Sequence, residues 1–229
     1  MSPPNRSPNR ANNAIAPHLW TRRVRRWGAL VVLGLFAVAL WANRQAIVSP
    51  PQQPERPETV YVVAYDILGQ FGHNSLVLPT ADGFVEYSFG DRAVYAENNN
   101  DWGSLLRAVA YPTPGTLGRR AIAWDGENLE DLERELQQGN RAERYLFPVG
   151  VERDRVAALR QQIDRRYERS SATPQYNRAV GLYFVPDAES YWAFNTCNHT
   201  VVRWLKALGC CVRGSPMWGK LRMANPTSC

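Results

Sequence analysis

Residues Trp27 to Ala42 run for sixteen positions without a charged side chain, directly behind the cluster Arg22-Arg23-Val24-Arg25-Arg26. As a helix this run is about 24 Å long, a little short of a bilayer core of about 30 Å. Trp27 and Trp41 stand at its two ends, where indoles favour the membrane interface and flanking arginines can snorkel. A span over 27–43 therefore needs only modest local thinning. A core helix would not follow a tail such as 1–26, rich in Pro, Asn, Ser and Arg and too poor in apolar residues to fold. A cleavable signal peptide competes, with Ala37-Val38-Ala39 as its small-residue processing site. The long basic region before the run, and the bulky Leu40-Trp41 pair after that site, favour an uncleaved signal anchor. Four arginines immediately precede the run and Arg44 follows it, so the positive-inside rule places residues 1–26 in the cytoplasm as a disordered basic tail. The remaining chain is then extracytoplasmic, held at the cytoplasmic membrane by a single pass.

The same division disposes of a nucleic-acid reading. The net charge of +6 suggests a polyanion partner only while it is spread over all 229 residues. Arg6, Arg10, Arg22, Arg23, Arg25 and Arg26 are the only charged residues up to Ala42; without them, 21 of the 27 basic residues remain against 21 acidic ones. The body of the chain is neutral and has no electrostatic case for DNA or RNA.

Pro50, Pro51, Pro54 and Pro57 mark residues 44–57 as an extended linker that holds a domain off the membrane. The folded domain is expected over 58–229. Thr59 to Tyr65 reads as a buried strand, His73 to Leu78 as a second, and Phe84 to Phe89 as a third that closes a hairpin through Ala81-Asp82-Gly83. Residues 101–110 carry Trp102, Leu105, Leu106 and Val109 at helical spacing. Strands are expected over 119–124, 144–149 and 181–185, and helices over 128–136, 152–167 and 196–208, the last stopped by Gly209. The result is an α+β domain with an early antiparallel sheet and a late, buried helix.

Chemistry centres on few residues. His73 opens a strand after Gly69-Gln70-Phe71-Gly72, whose glycines allow a sharp turn and leave room beside the imidazole. Cys197, in Asn195-Thr196-Cys197-Asn198, falls in the first turn of a helix capped by Asn195 or Thr196. Unpaired N–H groups and the helix dipole there stabilise a thiolate and lower the thiol pKa. Fast alkylation near neutral pH, dependent on His73, is the expected signature. Glu86, on the next strand, is the candidate to orient the imidazole; Asp91 is a weaker one, because Gly90-Asp91 also reads as a turn. His199, two residues beyond Cys197, points about 200° away around the helix and is a poor base. Metal binding by Cys197, His199, Cys210 and Cys211 lacks paired spacing, and neither a metal nor a cofactor is expected. An oxidising compartment would allow Cys229 to pair with Cys210 or Cys211, a bridge that leaves Cys197 free. A lone cysteine also serves as a small buried apolar residue, so a non-catalytic module stands beside the catalytic reading.

Three stretches carry a resemblance: Tyr61-Val62-Val63 with Gly72-His73-Asn74-Ser75-Leu76-Val77-Leu78-Pro79, Glu86 through Tyr95, and Phe194-Asn195-Thr196-Cys197-Asn198. Together with Trp102…Leu105-Leu106-Arg107-Ala108…Tyr111-Pro112-Thr113-Pro114, they resemble an uncharacterised family of bacterial, often membrane-anchored proteins. That family is similar to the circularly permuted NlpC-type papain-like proteins, which include the lecithin:retinol acyltransferase-like group. The resemblance implies a permuted papain-like fold in which strand His, polar residue and helix Cys occur in the order His73, Glu86, Cys197. It implies a cysteine hydrolase or acyltransferase acting on an amide, ester or thioester bond, and the anchor makes a peptide or lipid of the cell envelope the natural substrate. The alternative is an envelope binding or assembly module using the same fold.

Overall fold

The computed structural model describes residues 27–28, 30–34, 45–66, 72–124, 132, 134–135, 144–170, 172–217 and 219–226. The chain divides into two compact units, Met1–Trp41 and Ala42–Cys229. In the first, residues 27–28 and 30–34 are helical, and Trp27, Leu30, Val31, Val32 and Leu33 are all exposed. Among the described residues no helix is long and apolar enough to cross a membrane. The expected tail 1–26, most of the expected span 27–43 and most of the expected helix 128–136 lie outside the described residues.

The second unit is mixed α+β with largely antiparallel sheets. Its strands are β1 (Ala46–Ser49), β2 (Pro57–Asp66), β3 (Gly72–Thr80), β4 (Gly83–Asp91), β5 (Thr113–Ala123), β6 (Arg144–Glu152), β7 (Gln175–Asn177), β8 (Leu182–Tyr191), β9 (Cys211–Arg213) and β10 (Leu221–Met223). The helices are α1 (Trp102–Ala110), α2 (Arg153–Glu168) and α3 (Cys197–Ala207), and a single π-helical turn covers Arg92–Ala96. Seven strands form one antiparallel sheet in the order β6-β2-β3-β4-β5-β8-β7. A smaller sheet has the order β10-β1-β9.

Strand periodicity explains the layers. In β2 the residues Val60 and Val62 alternate with Tyr61, Val63 and Tyr65, so a continuous apolar run buries both faces of the sheet. Val60, Val62, Leu76, Leu78, Val85 and Tyr87 pack against Val156, Leu159 and Ile163 of α2 and Val201, Trp204 and Leu205 of α3. Tyr61, Val63, Val77, Phe84 and Ile122 form a second core on the opposite face, with Leu132. The β3–β4 turn needs Gly83, whose φ of +135° brings its α-carbon so close to β5 that a Cβ would lie 2.3 Å from the Ile122 carbonyl oxygen.

Two expectations are corrected. The linker expected over 44–57 is part of the folded unit: Ala46 and Val48 are fully buried, and β1 is the central strand of the small sheet. Its alternation of buried and exposed residues is only four residues long and precedes the prolines, whose composition hides it. The second concerns α1, where of the four apolar residues at helical spacing only Leu105 packs against the core. Ser104 and Ala108 are buried, while Trp102, Leu106 and Val109 are exposed.

Candidate functional site

Thr196 caps α3 with an extended backbone, and Cys197 is the first helical residue. The Nδ1 of His199 accepts the Thr196 amide at 3.3 Å and lies 2.8 Å from the Thr196 hydroxyl. His199 thus completes the helix start, in the place that a Glu or Gln holds in a capping box. Cys197 is buried to 3% exposure. Its sulfur donates to Asn198 Oδ1 at 3.4 Å, and the backbone N–H groups of Asn74, Asn198 and Cys197 and the Tyr191 hydroxyl favour its charged form.

The side chain that β3 presents to the start of α3 is Asn74. Its amide donates to Asn198 Oδ1 at 2.8 Å and to the Gly219 carbonyl at 3.0 Å, while Asn198 donates to the Gly72 carbonyl at 3.1 Å. Asn74 Oδ1 is buried and has no hydrogen-bond partner among the described residues. Gly72 makes room for backbone rather than for an imidazole: a Cβ there would meet the Gly219 carbonyl oxygen at 3.1 Å.

His73, one residue earlier, points to the other side of the strand. Its Nε2 pairs with Ser88 Oγ at 2.8 Å, and its ring packs 5.4 Å from the Tyr65 ring. It also stacks on Tyr95 at 4.6 Å between centroids. The two sequence-predicted residues are thus on opposite sides of β3, with the Tyr95 ring packed on the imidazole. Glu86 is fully buried on the same face as His73. Its carboxylate is bound by Arg120 at 2.6 Å, by Ser75 at 2.6 Å and by the Tyr65 hydroxyl. Glu86 therefore acts on the Tyr65 ring beside His73, and Ser88 is the side chain bonded to the imidazole Nε2.

Sequence reasoning missed Tyr95, Tyr191, Ser88 and the facing role of Asn74. A signal for Tyr95 was present in Gly90-Asp91. Asp91 caps the π-helical turn by accepting the Val94 amide at 2.9 Å and is held by Thr113. Gly90 leaves the space that the Tyr95 ring fills, because a Cβ there would lie 2.3 Å from it. Asp91 is thus the turn residue that returns Tyr95 to the site.

The expected thiolate is overturned by burial. The donors at the start of α3 do act to lower the Cys197 pKa, but desolvation is larger and pushes the thiol up to about 11. The same environment holds Tyr95 and Tyr191 well above the ordinary phenol value, burial first and the neighbouring sulfur second. In this arrangement Cys197 is a protonated thiol at neutral pH.

Of the two residues that could pair with Cys229, Cys211 is disulfide-bonded and Cys210 is a free thiol, as is Cys197; Cys229 itself lies outside the described residues. Among the described residues no group of three or more His, Cys, Asp or Glu side chains could hold a metal ion. No known protein family, curated protein or solved structure matches the chain.

Proposed function

We propose that the chain is a membrane-anchored cysteine hydrolase or acyltransferase of permuted papain-like, NlpC-type fold, with Cys197 as nucleophile and His73 as base. The observation that carries this reading is the place of Cys197, the first residue of α3, buried beside Asn74 and Asn198, where the backbone N–H groups of Asn74, Cys197 and Asn198 favour a charged sulfur. A buried apolar cysteine needs no such donors; a sulfur that must bear charge does. The buried, unpartnered Asn74 Oδ1 beside it offers an acceptor for a substrate N–H.

In the proposed reaction a rearrangement first brings His73, which stands on the other face of β3 behind the Tyr95 ring, within reach of Cys197; the thiol proton then passes to His73 as Sγ bonds to the carbonyl carbon of an amide, ester or thioester. Amides of the first turn of α3 receive the oxyanion. The bond to the leaving group breaks, His73 returns the proton to that group, and water or an acyl acceptor releases Cys197. Ser88 orients the imidazole, and Glu86 supports it through Tyr65. With the thiol buried and its pKa raised, substrate binding must open the site before transfer.

The proposed location is the cytoplasmic membrane, with residues 1–26 in the cytoplasm, 27–43 in the bilayer and the folded domain outside, facing peptide or lipid material of the envelope. The exposed apolar helical residues 30–34 support it, as does the disulfide at Cys211, which suits an oxidising compartment. The second reading, a non-catalytic envelope module, is favoured by the protonated, 3% exposed thiol.

Mass spectrometry of the intact chain after exposure to acyl esters and peptidoglycan fragments separates the two. The catalytic reading expects an acyl adduct on Cys197 that is absent in Cys197→Ala and forms at least about 100-fold more slowly in His73→Ala. A wild-type chain that acquires no adduct from any member of the panel is the result expected of a binding module.

A further inference from the structure

The carboxamides packed at the start of α3 leave one atom over. Asn74 is fully buried and Asn198 nearly so. Both hydrogens of the Asn74 amide are taken, one by Asn198 Oδ1 at 2.8 Å and one by the Gly219 carbonyl at 3.0 Å. Asn198 in turn donates to the Gly72 carbonyl at 3.1 Å. Turning the Asn74 carboxamide over would set its oxygen against two acceptors, so the network fixes its orientation. Oδ1 then has no hydrogen-bond partner among the described residues. A buried acceptor without a donor is costly and rare in a native fold, and it calls for a partner.

Its place says where that partner comes from. Cys197 Sγ and Asn74 Nδ2 both donate to a single atom, Asn198 Oδ1, at 3.4 and 2.8 Å, so the Asn74 carboxamide lies beside the sulfur. We propose that Asn74 is a specificity-determining residue whose Oδ1 accepts an amide N–H on the acyl side of the attacked carbonyl. The acyl group is then an N-acylaminoacyl group, as in a peptide, and not a fatty acyl chain, which has no donor to offer. The inference rests on the cysteine hydrolase or acyltransferase reading above, which leaves the acyl group open. In an N-acylaminoacyl group the nitrogen is two bonds from the carbonyl carbon that Sγ attacks, a separation that suits a carboxamide beside the sulfur. A donor there also stays on Oδ1 after the leaving group has gone. A cationic donor is less well served: Glu86 is paired with Arg120 on the other face of the sheet, and Asp91 is engaged by Thr113 and the Val94 amide. A hydroxyl would bring lone pairs of its own, and both Nδ2 hydrogens of Asn74 are already used.

The test follows acylation of Cys197 in the full-length chain by intact mass, with three p-nitrophenyl esters. The first is the ester of N-acetylglycine. The second, of acetoxyacetic acid, has an oxygen in place of the N–H, and the third, of N-acetylsarcosine, has an N-methyl group there. Each rate is divided by the rate of the same ester with N-acetylcysteine, which removes differences in intrinsic reactivity. The wild type should favour the N–H ester over each of the others by at least about 10-fold, and Asn74→Leu should bring that preference to within about 2-fold. Equal normalised rates in a wild-type chain that is acylated at Cys197 overturn the assignment and leave the cysteine reading standing, whether or not the variant folds. A preference that persists in folded Asn74→Leu puts the acceptor elsewhere and overturns it as well. Chain that takes no acyl group at Cys197 from any of the three esters removes the assignment together with the catalytic reading.

Discussion

At Cys197 two opposing effects act on the same sulfur, and their balance sets a measurable pH dependence. Backbone and tyrosine donors favour the thiolate, but burial exceeds them and moves the pKa from 9.0 to about 11. The folded state therefore holds this proton more tightly than the unfolded chain. Stability is full below pH 9 and falls as pH rises through 9 towards 11, because unfolding then releases a proton that the native state retains. Two pKa units correspond to on the order of 2–3 kcal/mol. Cys210 is raised in the same way by burial alone, so the wild-type curve contains both thiols. Urea unfolding of wild type and Cys197→Ala at pH 8 and pH 10.5 isolates the Cys197 share: the wild type should lose more stability between the two pH values than the variant. Equal losses would show that the thiol is not buried as described.

The start of α3 shows how an element can be specified by a residue that looks catalytic. His199 accepts the Thr196 amide through Nδ1, which requires the neutral ring, and burial first and Arg203 second lower its pKa below 6.5. The unfolded chain then binds a proton that the native state refuses, so stability falls as pH drops below 6.5. His199→Gln keeps an acceptor at the third helical position without a titrating group. Thermal unfolding between pH 7 and pH 5.5 should show a smaller loss for the variant than for wild type. Identical slopes would remove His199 from the cap. The long elements were legible because their patterns are local: the apolar run of β2, the Ala81-Asp82-Gly83 turn, and α3 with Gly209 at φ +92°. Sidedness was not. His73 and Asn74 are adjacent, and which of them faces α3 depends on the register that pairs Tyr65 with His73 and on the helix packing against Leu76 and Leu78. Likewise α1 shows an amphipathic stripe in sequence, but whether the stripe turns inward is decided by what Ser104 and Ala108 pack against.

For the whole molecule, the largest departure from the sequence reading is where the folded unit begins. Short strands with distant partners leave little local signal: β1 pairs in parallel with β10 and antiparallel with β9, both over 160 residues away, and Ser49 lies opposite the disulfide-bonded Cys211. Burial of Val48 joins this small sheet to the main core, where it packs with Leu205 and Leu208 of the α3 region. A fragment cut at Glu58, as the proline content suggests, removes the central strand and leaves β9 and β10 without the strand between them. A fragment cut at Ala42 keeps it. Removing the buried Val48 side chain alone costs about 1.5–3 kcal/mol, before the exposed edges of β9 and β10 are counted. Residues 58–229 should therefore unfold at a clearly lower urea midpoint than 42–229, by at least about 2 kcal/mol, or should aggregate through the exposed edges. Coincident midpoints would mean that β1 is an ornament on the domain. A lower midpoint makes the segment before the prolines a structural strand of the folded unit, not a linker to it.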